Sequence, residues 1–290
     1  MTALAVTECR IVYEHPQAYR NALAVPLYRL FHTTDGHADA RVRFHLVDEP
    51  DWDAKSFAQT AARGYPFAGH PIVNSPVVSE RYLSRGADEL FLPDVRVTDF
   101  LRPSTWTMDA FAFPPADVDQ YMRSRLLILF GSLLAAKGGV LLHGSGFILD
   151  GGAAAVVGPS QAGKTTAARL VQGDRLLSDD VVAVTDINTQ PRLHATPFGH
   201  ESDGVGSAPL RAIFFPRKQP AFSLQPVPAR QALIRSAAEQ ADTFQGLFTP
   251  YDGMSIRNLA RLFRKVPAYE LGFSLDGIDR EAIRRVLSGS

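Results

Sequence analysis

The nine residues Gly158-Pro159-Ser160-Gln161-Ala162-Gly163-Lys164-Thr165-Thr166 constrain this chain more than any other stretch. They fit G-x-x-x-x-G-K-[ST], a pattern whose glycines let successive backbone N–H groups turn toward one centre. The apolar run Ala153 to Val157 precedes them and reads as a buried strand, and Thr166 to Val171 follows with helical character. A strand, a glycine loop and a helix in that order make a cradle for a polyphosphate. The loop amides and the helix N-terminus attract the anion, Lys164 neutralises a phosphate oxygen, and the Thr165 hydroxyl can ligate Mg2+. The candidate nucleotide-binding residues are therefore Gly158, Ser160, Gln161, Ala162, Gly163, Lys164, Thr165 and Thr166, and the implied ligands are ATP and Mg2+. On this reading Lys164 is an exposed loop lysine that contributes little to the core. The plain alternative is a glycine-rich turn with a surface lysine.

With 290 residues, 46% of them hydrophobic, the chain can build a sizeable core and is long enough for two domains. Lys plus Arg equals Asp plus Glu at 30 each, so the overall charge points to neither nucleic acid nor an anionic membrane. Cys9 is the one cysteine, which excludes an intrachain disulfide and a Cys-cluster metal site and fits a reducing compartment. No run approaches the length of a membrane span, and Met1 to Tyr13 lacks the basic and then apolar pattern of a secretory signal. The expectation is a cytoplasmic protein without a membrane or nucleic-acid partner. Nothing in the sequence excludes a homo-oligomer.

Residues 1–113 read as a β-rich accessory domain. Strand-like pieces at Cys9 to Tyr13, Ala40 to Val47, Glu89 to Leu92 and Val95 to Val97 are separated by turn formers and prolines. In the second piece Val42, Phe44 and Leu46 alternate with Arg41, Arg43 and His45, which predicts one buried and one solvated face. Phe113-Pro114-Pro115 reads as the linker to a second domain, 114–290. Asp117 then caps a helix running to about Lys137, with Met122, Leu126, Leu129, Phe130 and Leu133 on one face.

Two further groups carry potential chemistry. His143, in Leu142-His143-Gly144-Ser145-Gly146, lies on or beside a strand running from Val140 to Leu149, where a lone histidine is either structural or catalytic. Leu176 to Val184 reads as another strand, with Asp179 and Asp180 near its start. Adjacent aspartates are commonplace on turns, but a bound triphosphate needs a carboxylate for its Mg2+, and a kinase needs one to orient or deprotonate the attacking hydroxyl. Neighbouring side chains of an extended strand face opposite ways, so the two acids would have different roles.

His143-Gly144, the Gly158–Thr166 loop and Leu176-Leu177-Ser178-Asp179-Asp180, in that order and spacing, resemble the catalytic domain of HPr kinase/phosphorylase and its relatives. Leu142 to Gly146, Gly158-Pro159-Ser160 and Ala195-Thr196-Pro197-Phe198-Gly199-His200-Glu201 are most similar to the precursor-peptide kinases of that superfamily, of the lasso-peptide type. The resemblance covers about 138–200. It implies a P-loop kinase that transfers the ATP γ-phosphoryl group to a serine hydroxyl, with Asp179 as base, His143 as its partner, and Asp180 with Thr165 at the metal. The Glu-Val-Arg-Gly-Leu-Gly-like segment of HPr kinases has no counterpart here, and Glu201 takes the place of its glutamate as a further metal residue.

Beyond this region, Leu210 to Pro216 reads as a core strand, Pro226 to Pro228 as a loop, Ala229 to Gln240 as a helix, and Val266 to Phe273 as a last strand whose Pro267 suits a sheet edge. In a helix from Met254 to Lys265, Arg257, Arg261 and Arg264 share one face, either solvated or a clamp for triphosphate or acidic peptide, opposite Ile256, Leu259 and Phe263. The expectation is an α/β protein in which a β-rich accessory domain precedes a P-loop kinase domain acting on a serine-bearing peptide or protein. The alternatives are a nucleotide-gated peptide-binding or chaperone ATPase and a small-molecule kinase.

Overall fold

The computed structural model describes residues 2–7, 9–14, 31–33, 38–46, 89–92, 95–98, 106–112, 118–171, 173–243 and 250–288. The linker expected at 113–115, the Asp117 cap and the prolines of the first half fall outside them. The fold is mixed α/β and divides into two compact units, Met1–Leu133 and Leu134–Ser290. The division falls within helix α1, Val118–Ala136, rather than at the diproline.

The described strands of the first unit are β1 Thr2–Val6, β2 Cys9–Glu14, β3 His32–Thr33, β4 Ala40–Leu46, β5 Glu89–Leu92, β6 Val95–Thr98 and β7 Trp106–Ala112. They form one mixed sheet in the order β3-β1-β2-β4-β7-β6-β5, in which β2, β4 and β7 run parallel. The alternation in β4 behaves as expected where side chains are described: Val42 is buried and Arg41 and Arg43 are exposed. In α1, Leu126, Leu129, Phe130 and Leu133 are all buried, which is the apolar face that the 3.6-residue period predicts.

The second unit is organised by two long strands, β8 Val140–Leu149 and β13 Ser207–Lys218. A two-residue turn with positive φ at Asp150 (49°) and Gly151 (76°) joins β8 to β9, Gly152–Val157, the geometry that matches the twist of a tight hairpin. β10 Arg175–Ser178 and β11 Val181–Thr185 lie antiparallel to successive parts of β8, β12 Arg192–His194 bridges β11 to β13, and β9 runs parallel to β13. Strands β8, β11, β12, β13 and β9 are therefore neighbours in a closed cycle. β15 Ala268–Phe273 adds parallel to β13, and β14 Ser223–Val227 covers its other side. Pro267 therefore does not mark an edge. The edge strand on this side is β14, which carries Pro226 where a loop was expected, because an edge strand tolerates a missing donor.

β9, antiparallel to β8 and parallel to β13, is buried at every position, as an inner strand covered on both faces is. On one face Ala154, Val156, Phe214, Leu271 and Phe273 pack with Ala167 and Ala168 of α2 (Lys164–Leu170) and Ile283 and Leu287 of α5 (Arg280–Ser288). Asp279 caps α5, accepting from Ala282 N at 3.0 Å through Oδ1. Helices α3 (Ala229–Thr243) and α4 (Pro250–Leu262) complete the unit. Arg257, Arg261 and Arg264 are exposed, the solvated reading of that stripe. Leu259 and Phe263 are buried, but Ile256 is 41% exposed and so is not part of their packed face. No helix among the described residues is long and apolar enough to cross a membrane.

Asn258 of α4 is buried, and its Nδ2 donates to Ala135 O in the last turn of α1 at 3.0 Å, a carbonyl that also accepts from Gly138 N at 3.1 Å, and to Gly139 O, just before β8, at 2.9 Å. Asn258→Ala removes both buried bonds, so it is expected to destabilise the second unit by about 2 kcal/mol, read as a lower thermal midpoint. A midpoint equal to that of the parent would show that water replaces the amide.

His194 of β12 sets an acid limit on stability. Its Nε2 lies 2.8 Å from Thr185 Oγ1, and burial, reinforced by Arg192 and opposed by Asp186, lowers its pKa to about 4 from 6.5. The folded chain then binds fewer protons than the unfolded chain between those values. The contribution is complete above about pH 6.5 and is lost as pH falls toward 4, up to about 3 kcal/mol. His194→Gln is expected to flatten this part of the stability–pH curve in urea titrations; an unchanged slope would contradict it.

Candidate functional site

The Gly158–Gly163 loop leaves β9 at the C-terminal ends of the parallel strands β9, β13 and β15, the edge at which α/β sheets present backbone to ligands. Gln161 and Gly163 have left-handed backbones, φ 65° and 97°, and Ala162 N donates to Pro159 O at 3.1 Å. Gly163 must be glycine for a second reason, since a Cβ there would lie 2.9 Å from Phe273 Cζ. α2 begins at Lys164 with no side-chain cap and no acidic residue in its first turn.

Lys164 differs from the exposed lysine expected. It is 8% exposed, and its Nζ folds back to donate to Gly158 O at 2.9 Å and Pro159 O at 3.1 Å. Burial lowers its pKa, and the charges of Asp180 and then Glu239 act the other way. A buried ammonium held by main-chain carbonyls and faced by acids stays at the loop rather than in solvent.

The strand expected from Leu176 to Val184 is broken at the two aspartates. Ser178, fully buried, accepts from Asp180 N and Val181 N through its hydroxyl, both at 3.3 Å, and this bends the chain outward between β10 and β11. The register nevertheless carries across the bend, from Ser178 opposite Gly146 to Val181 opposite His143, with Gly144 N donating to Asp180 O at 2.7 Å.

This bend corrects the pairing implied by the resemblance. His143 Nε2 lies 3.2 Å from Asp180 Oδ1, so the partner of the histidine is the second aspartate. Asp180 stands one residue before the position opposite His143 in the ladder, whereas Asp179 turns toward the loop after β12. There Asp179 Oδ1 accepts from His200 N at 2.7 Å and Glu201 N at 3.0 Å, and Asp179 N donates to Glu201 O at 3.2 Å. Gly199 leaves room for this, since a Cβ would lie 2.5 Å from Asp179 Oδ1. The carboxylate of Glu201, expected at a metal, is instead paired with Arg169 of α2, and both are more than half exposed.

Thr165 does join the loop to the aspartate bend. Its Oγ1 donates to Asp179 O at 3.1 Å, and the buried Ser145 Oγ donates to the same carbonyl at 2.8 Å. With its proton committed in this way, the Thr165 oxygen keeps lone pairs for a cation, which fits the ligand role expected of it. Among the described residues no group of three or more His, Cys, Asp or Glu is arranged to hold a metal ion. Sequence reasoning missed Ser145 as a clamp, Glu239 as an acid whose charge opposes the lowering of the Lys164 pKa, and Lys218, whose Nζ donates to Gln161 O at 3.0 Å. None belongs to a motif. The signal for Ser145 was its place in the His143 segment, and that for Lys218 was a lysine ending the strand beside the loop.

Compared with known proteins, the sequence matches no family model, and no curated protein matches it.

Proposed function

We propose that this chain is an ATP-dependent kinase of P-loop, HPr-kinase-like type that transfers the γ-phosphoryl group to a serine hydroxyl of a peptide or protein. The observation that carries the reading is a convergence at one strand edge. The G-x-x-x-x-G-K-[ST] loop holds a buried lysine, the Thr165 beside it donates to Asp179 O at 3.1 Å, and the next residue, Asp180, is 3.2 Å from His143. A nucleotide cradle and an oriented carboxylate are the two parts that phosphoryl transfer needs, since its catalysis is mostly positioning and charge neutralisation.

In the mechanism that follows, Asp180 rather than Asp179 is the base. It accepts the proton of the serine hydroxyl as the oxygen bonds to the γ-phosphorus and the bond to the β,γ-bridging oxygen breaks, releasing ADP. His143 orients the carboxylate. Lys164 exchanges its loop carbonyls for phosphate oxygens, and the amides after Gln161 face the polyphosphate. Thr165, with the Asp179 oxygen not engaged by the His200 and Glu201 amides, would hold Mg2+, which supplies further neutralisation of phosphate charge. The Asp179 amide contacts hold the bend that aims Asp180.

The test is incubation with γ-labelled or α-labelled ATP, Mg2+ and serine-bearing peptides, followed by mass measurement. The reading expects γ-label, and no α-label, on a peptide serine. Free phosphate with an unmodified peptide would favour a nucleotide-gated peptide-binding ATPase.

A further inference from the structure

The direction in which a triphosphate lies across the loop follows from where the proposed base stands, and the inference rests on that assignment. Asp180 and His143 flank β9 on the side of β8 and β11. The γ-phosphate must reach Asp180, so the α-phosphate and nucleoside extend to the other side of β9, over the ends of β13 and β15. These strands end level with each other, Lys218 being the register partner of Phe273.

We infer that Lys218 and Leu275 form the nucleoside subsite, an apolar ledge on which the base and ribose of the bound nucleotide rest. Lys218 is exposed, yet its Nζ is tied to Gln161 O at 3.0 Å and its Cε lies 3.3 Å from where a Cβ on Gly163 would stand. Its ammonium is therefore fixed to the outer wall of the loop, and its methylene stem lies along the rim rather than out in solvent. Beside it, Phe273 Cζ lies 2.9 Å from where a Cβ on Gly163 would stand, and β15 ends in the turn Ser274–Gly277. That turn is held by Gly277 N donating to Ser274 O at 3.3 Å and Asp276 N donating to Ser274 Oγ at 3.1 Å. It presents Leu275 81% exposed, the most exposed large hydrophobic among the described residues. The neighbouring polar groups are already engaged: Gln219 Nε2 donates to Ala221 O at 2.7 Å and Ser223 Oγ at 2.8 Å, and Asp276 Oδ2 accepts from Ser274 Oγ at 3.2 Å. What the rim offers a ligand is apolar surface beside a polyphosphate cradle, which suits the flat face of a nucleobase.

Binding of ATP and of inorganic tripolyphosphate to the parent protein, Leu275→Ser, Lys218→Ala and Lys164→Met separates the possibilities. The parent is expected to bind ATP more tightly than tripolyphosphate. Leu275→Ser should weaken ATP about fivefold and leave tripolyphosphate unchanged, the loss of partial cover over one leucine. Lys218→Ala should weaken ATP more than tripolyphosphate. Leu275→Ser binding ATP as the parent does would overturn the subsite, as would both ledge variants weakening the two ligands by one common factor. Those results with Lys164→Met losing both ligands would leave the kinase reading intact. A parent protein that binds neither ligand would remove the kinase reading and the subsite together.

Discussion

Asp180→Asn is expected to slow phosphoryl transfer by about 10²- to 10⁴-fold while nucleotide affinity stays near that of the parent. The amide keeps the shape of the side chain and can still meet His143 Nε2, 3.2 Å away, but it cannot take the proton of the acceptor hydroxyl. Nucleotide affinity rests on the loop amides and Lys164, whose bonds to Gly158 O and Pro159 O the substitution leaves in place although Lys164 loses the nearby Asp180 charge. Asp179→Asn provides the contrast. Its amide oxygen can go on accepting from His200 N and Glu201 N, so the bend survives, while the NH2 in place of the other oxygen cannot ligate Mg2+; the variant should therefore need more Mg2+ and lose less rate than Asp180→Asn once Mg2+ is saturating. Full activity in Asp180→Asn with none in Asp179→Asn would restore the assignment that the family resemblance implies.

Lys164→Met is expected to raise the nucleotide dissociation constant by about 100-fold or more, the loss of charge-assisted bonds to a polyphosphate. Methionine keeps the buried stem, and the two carbonyls it releases, Gly158 O and Pro159 O, belong to a loop that water reaches, since Pro159 and Ser160 are exposed. Removing a desolvated ammonium also offsets part of the lost bonding, so the thermal midpoint should move by no more than a few degrees. Calorimetric titration beside thermal unfolding separates the two effects. Undiminished affinity in the folded variant would show that the loop binds no triphosphate through this lysine.

Those two variants also mark where the sequence was readable. The glycine loop is legible because its chemistry is local: the residues that need positive φ and the lysine follow one another in the chain. The strands β2, β4, β5 and β6 are legible because short strand-like runs between turn formers, alternating in β4, are a local pattern too. The partner of His143 is not. The alternation rule holds for an extended chain, and the Ser178 hydroxyl, by accepting from Asp180 N and Val181 N, takes these residues out of that conformation. Nor can sequence periodicity show that Lys164 folds back onto its own loop. Nor does anything local mark Asn258, which is buried against carbonyls 119 and 123 residues earlier in the chain. β14 hides behind Pro226 and Pro228, which look like loop residues until the strand is seen to be an edge.

Whether the glycine loop and the His143–Asp180 pair serve one reaction is decided most directly by measuring nucleotide binding and γ-label transfer to a serine-bearing peptide in the same samples of the parent, Lys164→Met and Asp180→Asn. The expected result is that the parent binds and transfers, Asp180→Asn binds without transferring, and Lys164→Met does neither. Transfer by Asp180→Asn at the rate of the parent, or equal labelling by the parent and Lys164→Met, would contradict it.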